Sequence, residues 1–223
     1  MSGMIPVLTI DGPSGSGKGT VSRAVARTLG WHFLDSGAIY RSLAIAVLRN
    51  NIALDSEADI VRLAEGMDLS FTADDPPQVL LNAEDIASEI GSETCGNTAS
   101  RIAASGPVRK ALLDKQREFR KWPGLVADGR DMGTVVFTDA EHKVFLTASA
   151  EMRALRRLKQ LKDKGLDVNL ASLTREIEER DRRDRERAAA PLVVAEGAML
   201  IDSSELDVQQ VVDCVLSYLR ATA

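Results

Sequence analysis

The chain has 223 residues, a net charge of −5, an apolar share of 44% and a charged share of 27%. That is enough for one large α/β domain with smaller inserts, and the acidic balance argues against a general nucleic-acid surface. No basic leader with an apolar run behind it and no apolar run of about 18 residues occurs, so a soluble, cytoplasmic protein without a membrane partner is expected.

The apolar run Ile5 to Ile10 reads as a strand, and Val21 to Leu29 reads as a helix. Between them stands Gly12-Pro13-Ser14-Gly15-Ser16-Gly17-Lys18-Gly19-Thr20. Strand, glycine-rich turn and helix is the context of a phosphate-binding loop. Backbone N–H groups, the helix N-terminus and the Lys18 charge would cradle the β- and γ-phosphates of a nucleotide. The G-x-G-x-x-G pattern of dinucleotide folds is not satisfied. The position after the lysine is Gly19, and the hydroxyl comes one later at Thr20, so direct Mg²⁺ coordination by Thr20 is not implied.

His32 to Leu34 reads as a short strand ending at Asp35-Ser36-Gly37, and Ile39 to Leu48 as a helix with Ser36 placed to cap it. Arg41, about one turn in, either faces a second anion at that helix N-terminus or is a solvated helix arginine. A helix from Asp55 to Gly66 precedes three short strands, Leu69 to Phe71, Val79 to Leu81 and Glu84 to Ile86. Asp74-Asp75-Pro76-Pro77 and Asn82-Ala83 separate them. This meander interrupts the βα alternation, so residues 55–105 read as an inserted substrate-side lobe. Residues 1–54 and 106–223 would then form the core. Ser100 and Arg101 close the insert. Pro107 suits the first turn of a helix on which the direction of Arg109 stays open.

Leu125 to Ala127 is a buried-strand pattern that ends in Asp128-Gly129-Arg130-Asp131-Met132-Gly133. An aspartate at a strand end in such a protein can orient Mg²⁺ through water, and the charged quartet reads either as functional or as a loop closed by internal ion pairs. Val144 to Leu146 is the next strand. A helix from Glu151 to Lys164 carries Arg153, Arg156 and Arg157 beside an apolar side; a Gly165-Leu166-Asp167 break follows, and Ser172 can cap the next helix. The stripe of that helix runs Leu173, Ile177, Arg180, Asp184, Arg187, which suggests a face entering a polar cavity; a solvated face laced with i,i+4 pairs is the alternative. Met199 to Ile201 is a last strand and Val208 to Leu219 a closing helix. Cys95 and Cys214 read as reduced thiols, and with His32 and His142 they match no familiar zinc spacing.

Four stretches together resemble the bacterial cytidylate kinases: Ile10 to Thr20, Leu34 to Arg41, Asp128 to Phe137, and Glu179 to Arg185. The resemblance implies an α/β phosphate-loop fold of three layers, with a parallel five-stranded core sheet, a monophosphate-binding insert and a short helical lid at about residues 151–168. It also implies transfer of the γ-phosphoryl of ATP to CMP or dCMP, with Mg²⁺ brought as MgATP and held through water at Thr20 or Asp128 if the protein touches it. ATP would lie on residues 12–20 with Arg156 and Arg157, and Arg153 would belong to the same lid set. Arg41, Arg130 and Arg187 would hold the acceptor phosphate, Arg180 and Asp184 the ribose, and Ser36, Ser100, Arg109 and Asp131 the cytosine edge. Lys18, Asp128, Arg130 and Arg187 form the expected catalytic set, and a monomer is expected. Rivals are a kinase of another monophosphate or small metabolite on the same core, and a nucleotide-dependent switch.

Overall fold

A computed structural model describes residues 4–71, 78–163, 165 and 168–222. The Asp74 to Pro77 turn and Leu166-Asp167 of the expected break lie outside the described residues. In chain order, β1 (Val7–Asp11), α1 (Lys18–Leu29) and β2 (His32–Asp35) are followed by α2 (Ser36–Arg49) and α3 (Glu57–Gly66). Next come β3 (Leu69–Phe71), β4 (Val79–Leu81), β5 (Glu84–Asp85), α4 (Ala87–Ile90), α5 (Glu93–Ile102) and α6 (Gly106–Arg117). Then β6 (Leu125–Gly129), a π-helical turn at Met132–Val136 and β7 (His142–Thr147) lead to α7 (Ala150–Lys162), α8 (Leu170–Glu186), β8 (Met199–Asp202) and α9 (Val208–Ala221).

The chain divides into two compact units. One holds residues up to Leu34 and from Phe119 onward. Its sheet has five parallel strands in the order β2-β6-β1-β7-β8, the parallel five-stranded α/β core expected. β1 and β6 are buried along their whole length, as apolar strands at the centre of a parallel sheet must be. Helices α1 and α9 cover this sheet through Val21, Val25, Val211, Val212 and Val215. The apolar face of α9 is closed at its start by a capping box between Asp207 and Gln210. Central strands of such a sheet end at loops, so the C-terminal ends of β1 and β6 deliver the phosphate loop and the charged quartet side by side.

The other unit is Asp35–Glu118 and includes α2 and α6, on either side of the 55–105 stretch. Here α2 packs on α3, α4 and α5, and α3 on α6, while β3, β4 and β5 form a small antiparallel sheet. Ile39, Leu43, Ile45, Ile60, Leu112 and Cys95 are buried in it. Two expected caps are corrected. Asp35, not Ser36, caps α2, its carboxylate accepting from the Ala38 N–H at 2.9 Å. Asn169, not Ser172, caps α8, accepting from the Ala171 and Ser172 N–H groups. In each case the polar residue one or three positions earlier already holds the extended backbone a cap requires.

Candidate active site

The phosphate loop is shaped by its contacts with neighbouring strands and helices. Gly12 has φ 150° and lies so close to the Leu146 backbone that a side chain would run into the Leu146 carbonyl oxygen. Gly17, at φ 95°, is the left-handed residue that opens α1 and lets the following amides turn into the loop. Lys18 is buried and donates to the Pro13 carbonyl at 2.8 Å, which folds its side chain back over the loop. Burial, and next the charge of Arg130, brings the Lys18 ammonium down to about 7 against the pull of Asp128 and Asp11. The Ser16 hydroxyl is buried with no hydrogen-bond partner among the described residues.

Arginines on α7 buttress this loop. Arg153 is buried, donates to both carboxylate oxygens of buried Asp181 at 3.0 and 2.5 Å, and also reaches the Ala148 and Ser14 carbonyls. Its charge is consumed by α8 and by the loop backbone. Arg156 donates to the Ser16 carbonyl at 3.3 Å and to both the hydroxyl and the carbonyl of Ser203. Ser203, buried after β8, closes the ring, its single hydroxyl proton shared between the Ser16 and Thr147 carbonyls, each 3.0 Å away. Arg157 is half-buried on the same helix.

Beside the loop, the quartet after β6 meets the polar end of α8. The Arg130 Nε donates to Asp184 Oδ2 at 3.0 Å, and Arg187 Nη2 stands 3.7 Å from Asp131 Oδ1 with both side chains almost fully buried. Arg187 also donates to the Ala190 carbonyl at 2.7 Å. Burial opposes the charge on Arg130, yet Asp184, Asp128 and Asp11 together hold its guanidinium above the ordinary value. Burial likewise opposes the Asp184 carboxylate, while Arg130 and Arg180 hold it below the ordinary range. Asp128 is buried, its carboxylate packed toward Gly19 of the loop. The stripe Leu173, Ile177, Arg180, Asp184, Arg187 thus starts in an apolar cluster with Ala154 and Leu161 and ends among buried charges. In this unit Lys18, Asp128, Arg130, Asp131, Arg180, Asp184 and Arg187 are brought together. Thr20 is exposed on the first turn of α1.

The remaining expected residues lie in the other unit. The Ser36 hydroxyl, at the start of α2, donates to Gln116 Oε1 of α6 at 2.7 Å. Arg41 curls back, its Nε donating to the Gly37 carbonyl at 3.0 Å. Arg109 donates to the Ala103 carbonyl and lies over the Tyr40 ring at 5.3 Å, which gives it the direction its helix position left open. Ser100 Oγ is buried with no hydrogen-bond partner among the described residues. Sequence reasoning missed Asp11, Gln116, Asp181 and Ser203. Asp11 carried a signal, an acid at a strand end immediately before the loop; a buried glutamine on α6 and a serine after β8 carried none.

The family model described as Cytidylate kinase matches residues 8–221. A protein named cytidylate kinase from Methylococcus capsulatus (strain ATCC 33009 / NCIMB 11132 / Bath) is 61% identical over 221 residues, spanning 99% of this chain and 100% of the relative. Those of Edwardsiella ictaluri (strain 93-146), 56% identical over 223 residues, and Aeromonas salmonicida (strain A449), 57% identical over 219 residues, span 100% and 98% of this chain. They are themselves covered to 99% and 95%.

Proposed function

The chain belongs to the cytidylate kinase family, and on that premise we propose that it transfers the γ-phosphoryl group of ATP to CMP or dCMP, giving CDP or dCDP and ADP. The observation that carries this reading is the pair of buried contacts Arg130–Asp184 and Arg187–Asp131, set beside Lys18 in one unit. Buried guanidinium groups are costly unless paired, and here the pairing carboxylates are held on a neighbouring helix and strand end. A monophosphate that docks there meets guanidinium groups already withdrawn from water and held in place, so part of the cost of assembling the site is met in folding.

The obstacle in this reaction is repulsion between two polyanions, so the work of the protein is positioning and charge compensation. Lys18, the loop amides and the orphaned Ser16 hydroxyl take the donor phosphates. Arg130 and Arg187 take the acceptor phosphate, and its oxygen attacks in line without a general base because it is already an anion. Arg180 donates to the ribose hydroxyls, and the second oxygen of Asp184 accepts from them. Ser36, Arg41, Ser100, Arg109 and Asp131 keep the acceptor roles that the resemblance assigns. Arg156 and Arg157 are the lid arginines left for the donor, because Arg153 is spent on Asp181. Asp128, an oxygen donor packed toward Gly19, suits Mg²⁺ held through water. When bound with ATP, that ion neutralises charge on the phosphoryl group in transfer. We place the activity in the cytoplasm, where ATP is supplied.

Turnover with MgATP is measured against CMP, dCMP, UMP, AMP and dTMP. Fast ADP formation with CMP and dCMP and little with the purine is expected. Activity confined to a different acceptor would overturn the cytosine-reading roles, and nucleotide binding without transfer to any acceptor would overturn the kinase reading.

A further inference from the structure

Asp11 closes β1, the central strand, and has no part in the scheme above. The residue is 3% exposed. The two carboxylate oxygens accept from two successive amides of a distant turn: Oδ1 from the Met132 N–H and Oδ2 from the Gly133 N–H, each at 2.8 Å. Those are the first two amides of the π-helical turn Met132–Val136. Helix-start amides have no partner within the helix and are ordinarily satisfied by the residue at the cap position.

That position is Asp131, of a residue type well suited to capping. Yet Asp131, at φ −147° and ψ 25°, makes no side-chain cap hydrogen bond. Its carboxylate is directed instead toward Arg187. The cap is therefore supplied from another strand, and the side chain that would have supplied it locally is turned to the charged cluster. Space confirms how closely the turn is held, because a side chain at Gly133 would meet the Thr9 hydroxyl of β1 at 2.9 Å.

We infer that Asp11 is a positioning residue for the acceptor side of the reaction: by capping the Met132–Val136 turn from β1, it leaves Asp131 to face Arg187 and the substrate. The inference rests on the reading of Arg130, Asp131 and Arg187 as acceptor-binding. It differs from a simple counter-charge role beside Lys18, which would bear on the donor.

Asp11→Asn tests it, since an amide offers one acceptor oxygen and turns a donor toward the second N–H. Backbone amide exchange of Met132 and Gly133, followed by NMR, reads the turn itself; steady-state kinetics read the substrates. Protection at these two amides is expected to fall, the KM for CMP to rise by about 10-fold or more, and the KM for ATP to move by less than about twofold. Asp11→Glu keeps both acceptor oxygens and is expected to lie closer to the parent protein. If Asp11→Asn does not fold, Asp11→Glu carries the same readouts with smaller changes. Unaltered protection overturns the inference whatever the kinetics show, and so does a rise confined to the KM for ATP. Lost protection with an unmoved KM for CMP in both variants overturns the acceptor reading beneath it while leaving Asp11 as the cap.

Discussion

Lys18 stands between opposing influences at single-residue scale. Burial strips water from its ammonium and Arg130 adds repulsion, so its pKa falls to about 7, while Asp128 and Asp11 pull the other way. A triphosphate in the loop brings negative charge within a few ångströms and restores the charged form. Binding ATP above pH 7 is therefore expected to draw a proton onto the protein. Calorimetry at pH 8 in two buffers of different ionisation enthalpy measures that uptake; a heat that does not depend on the buffer would sink the idea. Lys18→Ala should abolish the uptake and lower kcat by roughly 100-fold or more, the size expected for losing a preorganised charge on a transferring phosphoryl group. A thermal melt run alongside separates that loss from misfolding.

At the scale of elements, α7 and α8 are joined at two levels. Low on the hairpin, Ala154, Leu161 and Leu173 pack with Leu158 and Ile177. Higher up, Arg153 pairs with Asp181 and reaches the Ser14 carbonyl, so the hairpin and the phosphate loop share one buried ion pair. Removing one partner leaves an uncompensated buried charge, which costs about 3–5 kcal/mol. Asp181→Ala is expected to lower the melting temperature accordingly and to raise the KM for ATP. Replacing both partners, Arg153→Met with Asp181→Leu, should recover part of the stability but not the KM. A double variant as unstable as the single would show that the pair is not the source. The sequence could not have separated Arg153 from Arg156 and Arg157, because three arginines on one helix have the same local signature and only tertiary packing decides which is consumed. The phosphate loop was legible because its glycines and lysine are demanded by local geometry, and the stripe of α8 because its change from leucine to charge is periodic. Helix α5 was not legible: Thr94, Gly96, Asn97 and Ser100 are weak helix formers, and its burial of Cys95, Ala99 and Ile102 against its own unit holds it in place. The acid at the end of β1 was visible, but its partner, the π-helical turn, was not, since a cap delivered across more than a hundred residues leaves no local pattern.

For the whole molecule, Asp11 and Lys18, both buried in the larger unit, make folding depend on pH in opposite senses. Burial raises the Asp11 carboxyl to about 7, although the Gly133 and Met132 amides favour its charged form. Its folded pKa lies above the unfolded one, so its contribution is full below pH ~4 and is lost as pH rises through 7. The folded pKa of Lys18 lies below the unfolded value of 10.5, so its contribution is full above that pH and is lost as pH falls through 7. Taken together, the pair is least favourable to folding near neutrality, where each buried group is about half converted to its charged form while its unfolded counterpart is fully charged. The cost of such an arrangement is on the order of a few kcal/mol, and phosphate binding offsets it. Urea unfolding of the parent protein and of Lys18→Met at pH 7, 8, 9 and 10 isolates the lysine. The parent's stability relative to the variant is expected to climb steadily over that range, and the climb should shrink when saturating ATP holds the ammonium charged. A difference that stays flat from pH 7 to 10 would mean that Lys18 is as well solvated in the folded protein as in the unfolded chain, and that the loop is not preorganised at the expense of stability.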